Sequence, residues 1–421
     1  MTSSLALIVA ESSTSKKMFN YFYLFLCALV YGISLPFLII TSFRTKHRRS
    51  IPARFFLDQR FCADFKPALW FHACSFGEIK SIEPIITSLL SHTQSNQTPY
   101  QILITTITQT GYNLAQKTYH NHSNIRIHYL PFEIFLPLYK HRLKSLQTLI
   151  VTEAELWFEL FYLAKSLKAK TLLINARISN ASYPKYKKLA FLYRKIFSYI
   201  DKILAQTQND MNHFLTLGAN EVCVFGNLKL LATPTITHTY PKPDKLCIIG
   251  ASTHHTEEEM ILESFLALKA THHNAILFLA PRHPERFILV EELLQKNLLR
   301  YAKLSDGFRD DVDVLLIDKL MELNNFYAIG DVVILGGAFI KAGGHNPIEP
   351  AYFHNKIISG THIFNQHALF ECIQGYTLTQ NLTQTLLSFE TIPKSQILSI
   401  DSKLPELCKE ITKGIHNAKS I

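Results

Sequence analysis

After residue 50, short apolar runs alternate with longer stretches whose apolar positions recur at helical spacing. ALWFHAC (68–74) is a continuous apolar run of strand length, as expected for a strand buried on both faces. Behind it, Ile79, Ile82, Ile85, Ile86, Leu89 and Leu90 form one helical stripe. YQILITTIT (100–108), NIRIHYLPF, TLIVTEAELW and AKTLLINARIS continue the strands. A helix is expected over about 183–199, followed by YIDKILAQT and VCVFGN as strands around the helix DMNHFLTLGA. TPTITHTYPKPDK (233–245), with three prolines and four threonines, breaks the pattern as a linker. The alternation then restarts with LCIIGAS, NAILFLAPRHP, VDVLLID, DVVILGGAF and KIISG as strands, and with a helix from about 346. Such βα alternation predicts mainly parallel sheets covered on both faces. The fold class expected is α/β, with two doubly wound domains joined near residue 240 and facing a cleft. Ligands in such sheets bind beyond the carboxyl ends of the strands.

One segment lies outside this pattern. MFNYFYLFLCALVYGISLPFLIITSF (18–43) has no charged residue, and RTKHRR (44–49) follows it. About 20 apolar residues suffice to cross a bilayer. The denser basic cluster after the segment places the rest of the chain on the cytoplasmic side. Pro36 and Gly32 leave open a helix lying in the membrane surface. The expected division is a tail 1–17, an anchor 18–43, a first domain 44–235 and a second domain 236–421.

Composition narrows the chemistry. The net charge of +10 suits an anionic partner: nucleic acid, a phosphorylated substrate or an anionic membrane face. Seven cysteines without a CxxC pair argue against a disulfide framework. No GxGxxG follows the first strand, and no GxxxxGK[ST] or HExxH is present. The adjacent pairs His254-His255 and His272-His273 do not share a helical face, so no metal site is expected there.

Polar residues collect at expected strand ends. Glu78 opens a helix after FHACSFG; it is either an N-terminal helix charge or a general base. Glu153 and Glu155 follow the strand of TLIVTEAELW, Asn175 and Arg177 that of AKTLLINARIS, and Lys229 stands just past Gly226. In the second half, Arg282 and His283 sit between prolines, and GASTHH offers Ser252, Thr253 and backbone N–H groups to an anion. Of 15 glycines, four fall between positions 336 and 344, just ahead of HNPIEP. Gly343 and Gly344 suit a close approach of backbone to a ligand. Asn346 suits a helix cap, Pro347 a first turn, and Glu349 a ribose diol.

In order, FHACSFGEI, YLPFE, VTEAELW, INARIS, GNLKL, GASTHHTEEE, PRHPERF, DVVILGGAF, GGHNPIEPA and GTHIFN resemble the 3-deoxy-D-manno-octulosonic acid (Kdo) transferases of Gram-negative bacteria, from about residue 50 to the end. The N-terminal anchor is similar to that family too. The resemblance implies a GT-B glycosyltransferase of two Rossmann-like domains. It further implies CMP-Kdo as donor, the lipid A precursor as acceptor, and a metal-independent inverting transfer needing no cofactor. Glu78 matches the catalytic base, and Glu153 and Lys229 match residues that stabilise the transition state. Pro281, Arg282, Leu320, Met321, Glu322, Gly337, Asn346, Pro347, Ile348 and Glu349 match the donor site. It implies the cytoplasmic leaflet of the inner membrane as a partner and no nucleic acid. The chain departs from the family pattern at Phe76, Phe158, Met321 and Ala338. Two alternatives stand beside it: a GT-B transferase using another nucleotide sugar such as a UDP-hexosamine, and a membrane-tethered binding protein with a degenerate GT-B fold.

Overall fold

The computed structural model describes residues 2–44, 47–57, 61–92, 99–231, 233–398, 403–413 and 415. The chain forms two compact units: Met1–Leu231 with Asp401–Ile421, and Ala232–Ile400.

The first unit is built on a seven-stranded sheet: β1 (Leu69–His72), β2 (Ile102–Thr106), β3 (Ile125–Tyr129), β4 (Thr148–Thr152), β5 (Lys170–Ala176), β6 (Lys202–Ala205) and β7 (Val222–Val224). Every pairing is parallel and the order is β3-β2-β1-β4-β5-β6-β7. β1, β2 and β4 are buried along their whole length, which explains their unbroken apolar runs. The stripe from Ile79 to Leu89 on the helix Phe76–His92 packs on one face of the sheet. The helix expected over 183–199 is two helices, Tyr183–Lys188 and Ala190–Phe197, separated at Leu189.

The second unit repeats the plan with β8 (Leu246–Thr253), β9 (Ala275–Pro281), β10 (Tyr301–Lys303), β11 (Val314–Leu316), β12 (Val332–Leu335), β13 (Lys356–Ser359), β14 (Ile373–Gln374), β15 (Tyr376–Leu378) and β16 (Gln396–Ile397). Its parallel sheet runs β10-β11-β9-β8-β12-β13-β15, while β14 and β16 form a separate antiparallel pair. The helix expected from about 346 is one short turn, Ile348–Tyr352.

The end of the chain departs from the expected division. The helix Lys403–Thr412 belongs to the first unit, not to the second half. Leu407, Cys408 and Ile411 join the core around Ile82 and Ile86. Glu410 pairs with Lys170 and, at 3.1 Å, with Lys202, and Lys403 donates to the Phe225 carbonyl at 2.7 Å. Pattern marks this helix as amphipathic but cannot say which sheet its apolar face meets.

Candidate active site

In each sheet the strand order reverses beside the first strand, between β1 and β4 and between β8 and β12. At such a reversal the connections leave toward opposite faces and open a crevice beyond the strand ends. Glu78 lies at the first of these places and Arg282 near the second, whereas Leu320, Met321 and Glu322 lie apart from both.

In the first unit, Ser75 and Glu78 begin the helix Phe76–His92 beyond β1. Glu78 is 7% exposed. Its Oε2 accepts from the Cys74 N–H (3.0 Å) and from the Thr152 hydroxyl (2.6 Å) at the end of β4. Its Oε1 accepts from the Ser75 hydroxyl at 2.8 Å, and Ser75 Oγ accepts the Glu78 N–H at 3.3 Å. The two readings of Glu78 therefore coincide physically. The residue caps a helix, and the capping holds one carboxylate in one orientation at the reversal point.

Glu153 follows β4 with φ +53, and Asn175, next to last in β5, has φ +52. Left-handed backbone is costly for residues with side chains and clusters where function requires it. Asn175 Oδ1 accepts the Leu228 N–H (3.0 Å) and Asn227 Oδ1 accepts the Lys229 N–H (3.0 Å), so the segment carrying Lys229 is tied to β5. Burial, and next the Glu78 charge, raise the Glu153 carboxyl to about 7; Lys229 and Arg177 act in the other direction. The rim thus holds carboxylates that repel one another beside cations that limit the repulsion.

Beneath this rim lies a group that sequence reasoning missed. His72 Nε2 is 3.3 Å from Cys74 Sγ, and the ligand atoms of His72, Cys74 and Glu155 all lie within 4.8 Å of one another. Trp157 Nε1 donates to Glu155 at 2.7 Å. Burial, then the Glu155 charge, push the Cys74 thiol well above its usual range, while burial and the neighbouring Arg54 charge lower His72 to about 3. The residue types could ligate a divalent ion. Their present contacts form a chain of hydrogen bonds under Glu78. The available signal was the i, i+2 spacing of His72 and Cys74, which puts both side chains on one face of a strand.

In the second unit, three histidines converge between the ends of β8 and β12. His254 Nε2 and His345 Nε2 are 3.0 Å apart with their rings stacked, and the His283 ring is 5.6 Å from His254. One imidazole of the 3.0 Å pair donates and the other accepts. Arg282 follows β9, whose last residue is Pro281, and its N–H is bound to the Thr253 carbonyl at 2.9 Å. The exposed Arg282 side chain has no ion-pair partner among the described residues. Burial, and next the Arg282 charge, lower His345 to about 4; burial and next His283 lower His254. Burial and the Arg282 charge keep these two imidazoles neutral, so the place offers one guanidinium charge and imidazole N–H donors, which suits an anion.

The nearby carboxylates are committed elsewhere. Glu258 takes a bidentate pair from Arg286 at 3.0 Å. Glu257 accepts from the N–H groups of His254 (3.0 Å), Gly337 (2.7 Å) and Phe339 (3.1 Å). Gly337, matched by resemblance to the donor site, thus has its N–H occupied by Glu257.

The glycine-rich loop also has a different basis from the one expected. A Cβ on Gly343 (φ +99) would lie 2.1 Å from Asn365 Nδ2, and one on Gly337 (φ +71) would lie 3.0 Å from the His345 ring. These glycines admit the loop's own neighbours. Asn346 Oδ1 accepts the Ile348 N–H at 3.0 Å, ahead of Pro347 and the short helix. Glu349 lies near Tyr327, whose phenol is raised by burial and by that charge. Farther along the unit, Leu320 and Met321 are exposed, whereas Glu322 accepts from Tyr240 (3.1 Å) and Asn325 (2.7 Å).

Two parallel sheets with charged residues at each reversal define the GT-B architecture of nucleotide-sugar enzymes. A UDP-N-acetylglucosamine 2-epimerase from Listeria monocytogenes has the same fold at a TM-score of 0.53, with 12% identity, over 83% of this chain and 91% of that one. The family model for 3-deoxy-D-manno-octulosonic acid transferases matches residues 49–232. The transferase of Haemophilus influenzae is 31% identical over 85% of each chain, and that of Bordetella pertussis is 31% identical over 75% of this chain and 76% of its own. The chain belongs to the 3-deoxy-D-manno-octulosonic acid transferase family and is a glycosyltransferase.

Proposed function

We propose that this enzyme transfers Kdo from CMP-Kdo to a hydroxyl of the lipid A precursor, with inversion at the anomeric carbon and Glu78 as the base. The observation that carries this reading is the anchored Glu78 carboxylate at the β1/β4 reversal. Among the described residues Oε1 holds one donor, the Ser75 hydroxyl, so a lone pair is available to an acceptor hydroxyl. The acceptor oxygen bonds to the anomeric carbon, its proton passes to Glu78, and the bond from that carbon to the CMP phosphate oxygen breaks. The leaving phosphate takes the electron pair and meets Arg282 and the imidazoles of His254, His283 and His345. Lys229 balances the carboxylates of Glu78 and Glu153 while an oxocarbenium-like centre develops.

Pro281, Leu320, Met321, Glu322, Gly337, Asn346, Pro347, Ile348 and Glu349 complete the donor site in this reading, with Glu349 on the ribose. The reading assigns no role to a metal or cofactor. The helical segment Met18–Ser42, with a mean hydropathy of 2.3, holds the enzyme to the inner membrane with the catalytic units on the cytoplasmic side. The positive charge suits a phosphorylated lipid acceptor.

The test is Glu78→Ala and Glu78→Gln assayed for transfer from CMP-Kdo in membranes. Transfer should be lost while CMP still raises the melting temperature. Transfer at wild-type rate in either variant removes Glu78 from the chemistry. Stabilisation by UDP and not by CMP would move the donor to a UDP-hexosamine.

A further inference from the structure

The cluster of His72, Cys74 and Glu155 has no part in the transfer chemistry. His72 ends β1, Cys74 stands two residues on, and Glu155 follows β4, the strand beside β1. Parallel pairing of β1 with β4 brings the two segments together at one sheet end. His72 and Cys74 are 0% and 4% exposed, and Glu155 is half-buried. One ligand atom of each residue lies within 4.8 Å of the other two.

The donors are held in the form that a cation requires. His72 Nδ1 is 3.2 Å from the Thr105 carbonyl oxygen and 2.9 Å from the Thr105 hydroxyl. A carbonyl only accepts, so Nδ1 carries the ring proton. Nε2 therefore presents its lone pair to the cluster, 3.3 Å from Cys74 Sγ. A hydrogen bond from the far ring nitrogen to a carbonyl is how proteins orient metal-binding imidazoles. Trp157 Nε1 donates to Glu155 Oε2 at 2.7 Å and steadies that carboxylate.

A thiolate, an imidazole and a carboxylate together select a borderline-soft divalent ion, and zinc takes this set in a tetrahedron. Zinc bond lengths place the ligand atoms about 3.4–3.6 Å apart. His72 and Cys74 stand close to that separation, and Glu155 reaches it by a shift of about 1 Å. Charge favours the ion as well. Arg54, Glu155 and Glu78 act on Cys74 electrostatically. With a neutral thiol those three groups leave one negative charge, and a divalent ion that displaces the thiol proton cancels it.

We infer that His72, Cys74 and Glu155 form a zinc site beneath Glu78, with the fourth position left to water. On binding, the Cys74 S–H bond breaks, the proton passes to solvent, and the sulfur electron pair goes to the metal. Glu155, the most exposed of the three, marks the side of entry. Glu78 is not a ligand, because its Oε2 is taken by the Cys74 N–H and the Thr152 hydroxyl. The ion ties the end of β1 to the segment after β4, which are the two pieces that hold Glu78. It stabilises the fold there and takes no part in bond making or breaking, whichever donor the enzyme uses.

The test uses the full-length protein without a histidine tag, stripped with a chelator. One equivalent of zinc should raise the melting temperature. Cobalt(II) added instead should give a near-ultraviolet thiolate-to-metal band that one equivalent of zinc removes. The band requires sulfur, so the histidines of the second unit cannot produce it. Cys74→Ala should abolish the band, Glu155→Gln should weaken zinc binding at least about tenfold, and Cys62→Ala should leave both unchanged. If Cys74→Ala does not melt cooperatively, Glu155→Gln decides. No band in the wild type, a band that survives Cys74→Ala, or unchanged affinity in Glu155→Gln overturns the inference.

Discussion

The Thr152 hydroxyl donates a 2.6 Å hydrogen bond to Glu78 Oε2 and so joins the end of β4 to the helix that leaves β1. Seventy-four residues separate the two in sequence. The bond crosses the point where the strand order reverses, and it helps to hold the Glu78 carboxylate in one orientation.

Removing that hydroxyl should therefore harm turnover more than binding. Thr152→Val is expected to lower kcat about tenfold, the size of one charge-assisted hydrogen bond. The CMP-induced rise in melting temperature should be unchanged, and Thr152→Ser should restore most of the rate. A Val variant with normal kcat would show that the bond serves the fold alone.

Glu153 sets an ionisation near neutrality. Its carboxyl, raised to about 7 by burial and the Glu78 charge, takes up a proton as pH falls through that value. Above it, a second negative charge stands beside Glu78. The pH profile of kcat should carry a transition near 7 that Glu153→Gln removes. An unchanged profile in that variant assigns the transition to another group.

His72 should weaken the fold in acid. Its folded pKa is lowered to about 3, below the usual value of 6.5, chiefly by burial. Above 6.5 the imidazole is neutral in both states and contributes nothing. As pH falls from 6.5 toward 3 the unfolded chain binds a proton that the folded chain refuses. Stability is lost across that window, by an amount on the order of 5 kcal/mol at full shift. Urea titrations of wild type and His72→Gln across the window should show a shallower acid slope in the variant. Parallel slopes would contradict this.

Met321 carries a cost that glycine would relieve. It stands at φ +69 with its side chain exposed. Left-handed backbone costs a side-chain-bearing residue about 1–2 kcal/mol, and glycine returns part of that through the entropy of the unfolded chain. Met321→Gly should raise stability by about 0.5–1 kcal/mol. A lower melting temperature would mean that the Met321 side chain makes a compensating contact.

Gly337→Ala should act in the opposite direction. The new Cβ would sit in left-handed backbone, 3.0 Å from the His345 ring. Both the melting temperature and its rise with CMP should fall, because the His254–His345 pair is displaced with the loop. Normal CMP stabilisation would remove this histidine pair from the donor site.

Much of this was legible in the chain. Strands buried on both faces write continuous apolar runs, so β1, β2, β4, β8, β9 and β12 stood out. Glu78, Glu153 and Arg282 stood out as polar residues directly after such runs, though spacing alone left Glu78 open between a helix charge and a base. β10, only Tyr301–Lys303, was missed, because its three residues are half-buried and make no apolar run. The His254, His283 and His345 group was hidden because its members come from three separate strand ends.

By itself the sequence determined the elements and the chemistry available, since periodicity and residue type are local properties of a chain. It also placed the acids and bases at the carboxyl ends of strands, where parallel sheets bind ligands. Tertiary structure decided which of these residues meet. It showed that Glu257 occupies the Gly337 N–H, that the last helix returns to the first sheet, and that Glu155 meets His72 and Cys74. Each is a contact between segments far apart in sequence, set by strand order and packing, and no spacing along the chain encodes it.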